Sequence, residues 1–576
     1  MAGAGIGLLY TSHADGSDQV CADLFMHSFC ASESFQPKVI VVYPRLFELL
    51  LGGKVIIPKY AEELARIKVR LSRYSHVSTF NAALNYLGYK SGDDPFRKMP
   101  WIVMFLLKQA LLQKNGSEVM SEKVFLKLAN RVFKLGDSLV GRISPETFML
   151  MMRAMLAQQL WYQIQAIDSF KYLFLHRELL NKSYEVNNRL FMAKAGVKLN
   201  DYYKIAFYLL SQAAKEPPNS VIRYSMTSLY SHLSPTVSDE TITQFLKLVG
   251  LPFGQFSGYL KPFEVLDSNA AELYQETPFK SKPIIVEKDG LIIFNAGLCV
   301  LGLRSIVIEV LRSDKEFTKR FGDDMEAYIG ERLRMTASVV YSMPELNKVI
   351  PIKVGQIADY VVADEGRVLV FESKSIIPNV LMKCAFDPVH LAKMLRQSFL
   401  HGVDQGQETV YKLACTGRFA NSRARIVVVT LDDFFICGGD YISDYLDQGL
   451  EDVLVRKYGG LPVPMSNVLF MTLRDLNILT EWLRDKPANA IFDFFDELER
   501  KQQDAGGMRF SVSQHIDEQI AGQVMGAVGM QDAVSQSEEE MAYLLQQNIA
   551  IRRTQRVQDF MAAFSQFQYR LLTAFS

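Results

Sequence analysis

Across the first half of the chain apolar residues return every three to four positions, the spacing of helices that bury one face. From Pro44 to Ser268 this spacing predicts helices over Trp101–Gln113, Val124–Leu135, Pro145–Tyr172, Tyr202–Ala214 and Asp239–Val249. Asp239 and Glu240 follow a serine, placing carboxylates at the positive end of the last helix dipole. The methionines Met149, Met151, Met152 and Met155 read as adaptable core packing. Residues 1–43 show little pattern. Val39–Tyr43 reads as a short strand or as the start of a helix, and Gly3, Gly5 and Gly7 lack both a preceding strand and the spacing of a phosphate loop.

The pattern changes at Lys282–Gly297, where apolar runs flank Lys288-Asp289-Gly290 and predict a hairpin. Leu291–Leu311 is the longest apolar run, but Asn295, Arg304 and Glu309 interrupt it, so it reads as core and not as a membrane span. Helical spacing returns over Phe317–Met335, with Phe317, Phe321, Met325, Tyr328, Ile329 and Leu333 on one stripe. Two strands follow, Gln356–Ala363 and Val368–Ser375, around a Glu365-Gly366 turn. That turn sets Asp364 opposite Arg367 and, counting outward, Asp359 opposite Glu372. Opposed Cβ atoms lie roughly 4.5–5.5 Å apart, and Lys374 shares the face of Glu372. Both faces of this hairpin are otherwise apolar, the mark of an interior pair. Asp387–Leu413 then reads mostly as helix, Arg425–Leu431 as a buried strand, Tyr441–Lys457 as helix, Asn467–Leu473 as a further strand of the same sheet, and Asp475–Arg484 as helix.

Length and composition narrow the class. The 576 residues have room for several domains, and 49% hydrophobic with 22% charged residues is ordinary globular usage. Lys and Arg balance Asp and Glu at 63 each, so there is no global basic signature. Locally, Arg367 to Arg425 holds nine basic against four acidic residues, a face suited to a phosphate backbone or to plain solvation. The six cysteines have no zinc-finger or CxxC spacing. With no positively charged leader, they suggest a soluble, cytoplasmic protein. His390 and His401 would share a helix face, but without a third ligand they make a poor zinc site. The chain has no G-x-S-x-G, no P-loop and no HExxH.

Asp359, Glu372 and Lys374 form the set D-(x)n-E-x-K, and with their surroundings they resemble the PD-(D/E)xK nuclease superfamily, the restriction-endonuclease-like fold. The likeness spans residues of about 315–475 and includes that family's order of helix, three strands, helix and strand. Ala358 stands where the family has its proline. A second D…ExK string at Asp493, Asp496 and Glu499-Arg500-Lys501 has helical spacing and reads as a solvated helix face.

The resemblance implies a Mg2+-dependent nuclease acting on DNA, with Mn2+ as a substitute. Asp359, Glu372 and the Ser373 carbonyl would hold the metal. Lys374 would position or deprotonate the attacking water, Glu326 would reach a second metal through water, and Gln405 would orient substrate or water. The expected fold is multidomain α+β: an unreadable segment 1–43, an α-helical recognition or regulation domain 44–268, a connector 269–314, the nuclease-like α/β core 315–485 and a helical extension 486–576. A nuclease joined to a large helical module suggests bacterial anti-phage defence or a mobile element. The helical region or the tail, with Arg552, Arg553 and Arg556 beside Phe560, Phe564, Phe567 and Tyr569, would serve a protein partner, self-association or packing back on the body; no membrane role is expected. The alternatives are a non-catalytic nucleic-acid-binding or scaffold protein, in which the three residues form a structural ion cluster, and a nuclease directed at RNA.

Overall fold

Short polar side chains open several of the helices. Ser121, Ser225, Ser238, Asn295 and Asp387 each accept a hydrogen bond from the backbone N–H three residues on, satisfying a donor that the first helical turn leaves unpaired. A computed structural model describes residues 60–576 except 89–98, 137–144, 160–161, 163–165, 214–215, 217–219, 266–269, 338, 351, 353–354, 365, 378–379, 418, 437, 504–508 and 522–527. The segment 1–43, with Val39–Tyr43 read as a short strand or helix start, and Glu365 of the predicted turn lie outside the described residues.

The protein is a mostly helical α+β chain, with a helical N-terminal region, two mixed sheets in the middle and a helical C-terminal end. It divides into two units. One comprises 45–141, 158–318 and 532–576; the other has its described residues in 142–157 and 319–531.

In the first unit the helices Pro100–Leu111, Glu122–Leu135, Leu199–Ala213 and Asp239–Val249 fall on predicted segments. Its sheet has four strands, β1 (Ile222–Ser225), β2 (Gly250–Leu251), β3 (Ile284–Val286) and β4 (Gly290–Ile293), in the order β1-β4-β3-β2. β3 and β4 are the predicted hairpin; β1 and β2 lie inside the stretch expected to be mostly helical. The apolar run after β4 forms the helix Ala296–Leu311, buried along nearly its whole length. The C-terminal helix Val557–Phe575 packs back within this unit, with Phe567 stacked on Tyr230 at 4.9 Å and Arg552 over the same ring at 5.2 Å.

The second unit is built on a five-stranded sheet, β5 (Val340–Ser342), β6 (Tyr360–Asp364), β7 (Arg367–Lys374), β8 (Arg423–Thr430) and β9 (Val468–Thr472), in sequence order. β5, β6 and β7 run antiparallel; β7, β8 and β9 run parallel. The helix Lys315–Arg334 precedes the sheet, and Pro388–Leu395 and Phe399–Ala414 cross from β7 to β8. A helix from early in the chain, Pro145–Gln159, brings Arg153 into this unit. That guanidinium is 1% exposed and donates to the carbonyls of Met382 (2.9 Å), Ala385 (2.7 Å) and Phe434 (3.2 Å), tying together the segments that follow β7 and β8.

Three expectations need correction. Pro145–Tyr172 is not one helix but parts of two, Pro145–Gln159 and Ala166–Asn181. His390 and His401 do not share a helix face, because a turn at 396–398 separates their helices. The acidic face of the helix Ala490–Gln503 is not simply solvated: Asp496 and Glu499 each lie 2.5 Å from the buried guanidinium of Arg425, and Asp493 lies 2.7 Å from Arg367. Arginines at the start of β7 and in β8 need counter-charges, and this helix supplies them.

Candidate active site

The hairpin β6–β7 keeps the predicted register. Gly366 adopts φ +72°, a value that glycine reaches without strain, and Asp364 pairs with Arg367 and Tyr360 with Phe371. The next step outward sets Asp359, one residue before β6, opposite Glu372. The Asp359 side chain turns back onto β7, where Oδ2 accepts the Ser373 N–H at 2.7 Å. Glu372 and Lys374 share a face, and the Lys374 ammonium donates to Glu372 Oε1 at 2.5 Å and to Gln405 Oε1 at 2.6 Å.

Gln405 reaches Lys374 because its helix lies close on the sheet. A Cβ at Gly402 would stand 3.2 Å from Val428 and 3.4 Å from Lys374 Cε; one at Gly406 would stand 2.5 Å from Ile426 Cγ2. The two glycines, one turn apart, remove the side chains that would hold the helix off. Thr409 fastens the same helix to the segment entering β6. Its Oγ1 accepts the Ala358 N–H at 2.8 Å and donates to the Gln405 carbonyl at 2.8 Å. Proline has no N–H, so the alanine at 358 makes a bond that the family's proline could not. One turn further, Glu408 and Lys412 hold Gln356 by its N–H (3.1 Å) and carbonyl (3.0 Å).

Glu326 comes from the helix Lys315–Arg334, which approaches β6 at Gly330, where any Cβ would overlap the Tyr360 hydroxyl. Burial first, then the Asp359 and Asp323 carboxylates, push the Glu326 carboxyl up to about 7. Glu372 is 2% exposed, and burial together with Asp359 pushes its carboxyl up to about 8 against the pull of Lys374. Asp359 is raised as well, by burial, although the Ser373 N–H and Lys374 oppose the shift. Three carboxyls thus feel one ammonium. Each is destabilised as an anion chiefly by burial, and Glu326 and Glu372 also by a neighbouring carboxylate.

All six expected residues lie in this unit. Lys374, Glu372 and Gln405 touch; Asp359 and Ser373 are bonded to each other; Glu326 is linked to Asp359 and Lys374 electrostatically. Ser373 enters through its N–H. Sequence reasoning missed Gly402, Gly406 and Thr409, although the four-residue glycine spacing within a helical pattern was a visible signal of close packing. His401, one turn before Gln405, is also near enough for Lys374 to contribute, after burial, to lowering its pKa.

Among the described residues no three His, Cys, Asp or Glu side chains converge as a ready-made metal cage. The carboxylate pair still suits a hard divalent cation. Glu372 Oε2 is buried and has no hydrogen-bond partner, beside a second carboxylate whose charge it repels. Mg2+ commonly takes one or two carboxylates and keeps waters for its remaining positions. No protein-family model, no curated protein and no solved structure matches this chain. Among the described residues no helix is long and apolar enough to cross a membrane.

Proposed function

We propose that the protein is a Mg2+-dependent nuclease that hydrolyses phosphodiester bonds of DNA, with Mn2+ able to replace Mg2+. The observation that carries this reading is the buried, unpartnered Oε2 of Glu372 next to Asp359, with Lys374 held beside them by Glu372 and Gln405. A purely structural ion cluster gains nothing from a second carboxylate that raises the first one's pKa. The order of elements, a helix, β5 to β7, helices and β8, supports a restriction-endonuclease-like core.

In this reading Asp359 and Glu372, with the Ser373 carbonyl, would hold the cation, and Glu326 would reach a second through water. The chemistry a divalent cation would supply there is polarisation of a phosphoryl oxygen and a lowered pKa of water. An ammonium has three N–H donors, and Lys374 commits two, to Glu372 and Gln405. The third remains for the attacking water or the developing negative charge on phosphorus. Gln405 fixes the ammonium, and Thr409 fixes the turn that carries Gln405. The scattered thiols, with Cys299 buried and Cys415 exposed and both free, favour a reducing, cytoplasmic setting. The pairing with a large helical unit fits bacterial anti-phage defence or a mobile element.

A second reading, a non-catalytic nucleic-acid-binding scaffold, draws on the Lys374–Glu372 ion pair, which partly neutralises the site without a metal. Purified protein incubated with linear duplex, single-stranded and supercoiled circular DNA, and with RNA, in Mg2+, Mn2+ or EDTA separates the two. Metal-dependent cutting of DNA that Lys374→Ala abolishes is the expected result. Preferential RNA cutting would move the substrate to RNA, and metal-independent binding without cleavage would favour the scaffold.

A further inference from the structure

Two helices of the first unit, Tyr60–Leu71 and Glu122–Leu135, each bury one stripe: Leu64, Ile67 and Leu71 in the former, Phe125, Leu128, Val132 and Leu135 in the latter. Backbone bonds of 2.9–3.0 Å join Arg73, Tyr74 and Ser75, just past the first helix, to Gly116 and Glu118, just ahead of the second. At the opposite ends Glu63 bridges Arg131 at 2.7 Å and Arg66 at 3.4 Å. The helices therefore run antiparallel and are fastened at both ends.

At 3.6 residues per turn, the buried stripe fixes where the other side chains of a helix point. Lys123, Lys127, Arg131 and Lys134 follow one another at steps of four, four and three. They form one file of about 16 Å, on the flank that Arg131 turns to Glu63. Arg66 and Arg70 occupy the flank of the first helix on which Glu63 sits. Six cations thus straddle the seam between the helices on its outer side. The carboxylates there are Glu62 and Glu63, and Glu63 is engaged in the seam itself. Arg66 is 68% exposed. Lys123, Lys127 and Lys134 are exposed too, and none of the three has an ion-pair partner among the described residues. A merely solvated face intersperses the two signs. Over 60–88 and 99–135, by contrast, ten Lys and Arg stand against four Glu and no Asp, in a chain whose totals balance.

We propose that this face holds the phosphate backbone of duplex DNA without reading its sequence. The inference rests on the reading of the protein as a nuclease for DNA, and it names a surface that retains the substrate. A file of cations suits a file of phosphates, whose counterions it displaces, and phosphate contacts position a duplex but carry no sequence information. Interfaces between proteins are depleted of charge, and of lysine above all, at their centre, whereas here the cations are the centre. Single strands are held on aromatic platforms, and no aromatic side chain of either helix is exposed.

The test is fluorescence anisotropy of labelled duplexes of unrelated sequence with the full chain, in EDTA and over a series of salt concentrations. The duplexes are expected to bind alike and to lose affinity as salt rises. The triple variant Lys123→Gln, Lys127→Gln, Lys134→Gln should bind roughly tenfold more weakly, with a salt slope smaller by about 2–3. Replacing the same three lysines by arginine should preserve binding. So should Lys182→Gln, Lys198→Gln, Lys261→Gln, which removes equal charge from exposed positions elsewhere in the unit. All six positions are exposed, and circular dichroism checks that each variant melts as the wild type does. Equal affinity and slope in the wild type and the first variant would overturn the proposal, as would an equal loss in the control variant. A loss confined to vesicles of anionic phospholipid would move the face to a lipid surface and overturn it too. Because binding is read without metal, the two readings fail separately. Duplex held by this face but never cut in Mg2+ would sink the nuclease alone; cutting with unchanged binding in the first variant would sink this proposal alone.

Discussion

Without a metal, the Glu372 carboxyl keeps its proton up to about pH 8, whereas in an unfolded chain it would release it near its ordinary value of 4.5. Between those values the folded state binds the extra proton, so stability falls as pH rises from about 4.5 to about 8 and then levels off. Metal-free Glu372→Gln should therefore melt above the wild type at pH 8.5, with the difference closing at pH 4.5 in thermal scans. Mg2+ should raise the wild-type Tm at pH 8.5 and leave that variant unmoved. His515 works in the opposite sense. It is 1% exposed, neither ring nitrogen has a hydrogen-bond partner, and burial together with Arg509 and Lys501 lowers its pKa to about 3. Stability that is complete above its ordinary value of 6.5 is then lost as pH falls from 6.5 toward 3. His515→Phe should shift the acid-unfolding midpoint of the chain to lower pH, read by circular dichroism. At this scale the sequence was informative for Asp359, Glu372 and Lys374, because turn chemistry and strand alternation fix which side chains face one another, whereas Gln405 was singled out only through the family resemblance. It was silent on Thr409, whose importance comes from a tertiary bond to Ala358.

Among the elements, the crossover helix Phe399–Ala414 determines whether Lys374 has its second partner. Gly406→Ala places a methyl 2.5 Å from Ile426 Cγ2, an overpacking that costs about 1–3 kcal/mol and lifts Gln405 away from the ammonium. The expected outcome is a lower urea midpoint with reduced cleavage, and Ile426→Val in the same chain should restore part of both. The hairpin was legible in detail, since both strands are long, apolar and joined at Gly366. Other elements were hidden for physical reasons. Between Gln158 and Ala166 there is no Gly or Pro to announce that one helical pattern becomes two helices. β1 and β2 have four and two residues, too few for a period to emerge, and they are strands because β4 and β3 offer them ladders. The helix Ala490–Gln503 looked solvated because its partners Arg423 and Arg425 are distant in sequence.

For the whole molecule, chain order is a poor guide to what packs together. The expected core 315–485 omits Arg153, which satisfies three carbonyls near the ends of β7 and β8. Buried carbonyls without donors are costly, so a fragment 315–485 should be largely insoluble or molten by near-ultraviolet circular dichroism. Adding the helix Pro145–Gln159, in trans or through a linker, should recover ordered signal. The broad layout, helices first, mixed sheets in the middle and helices last, could be read from periodicity alone. The interleaving could not, because pattern reports which face of an element is apolar and not which distant segment will cover it.

That interleaving also sets a timetable for biosynthesis. Arg153 leaves the ribosome 229 residues ahead of Met382 and 281 ahead of Phe434. At ordinary translation speeds of about 5–20 residues per second, it waits on the order of 10–60 s for its acceptors. Residues 532–576 join 45–141 and 158–318 in the other unit, so that unit too waits for a segment made more than 200 residues after the rest. Neither unit can therefore form from one contiguous stretch of chain, and each must hold an early segment in reserve until a distant one emerges.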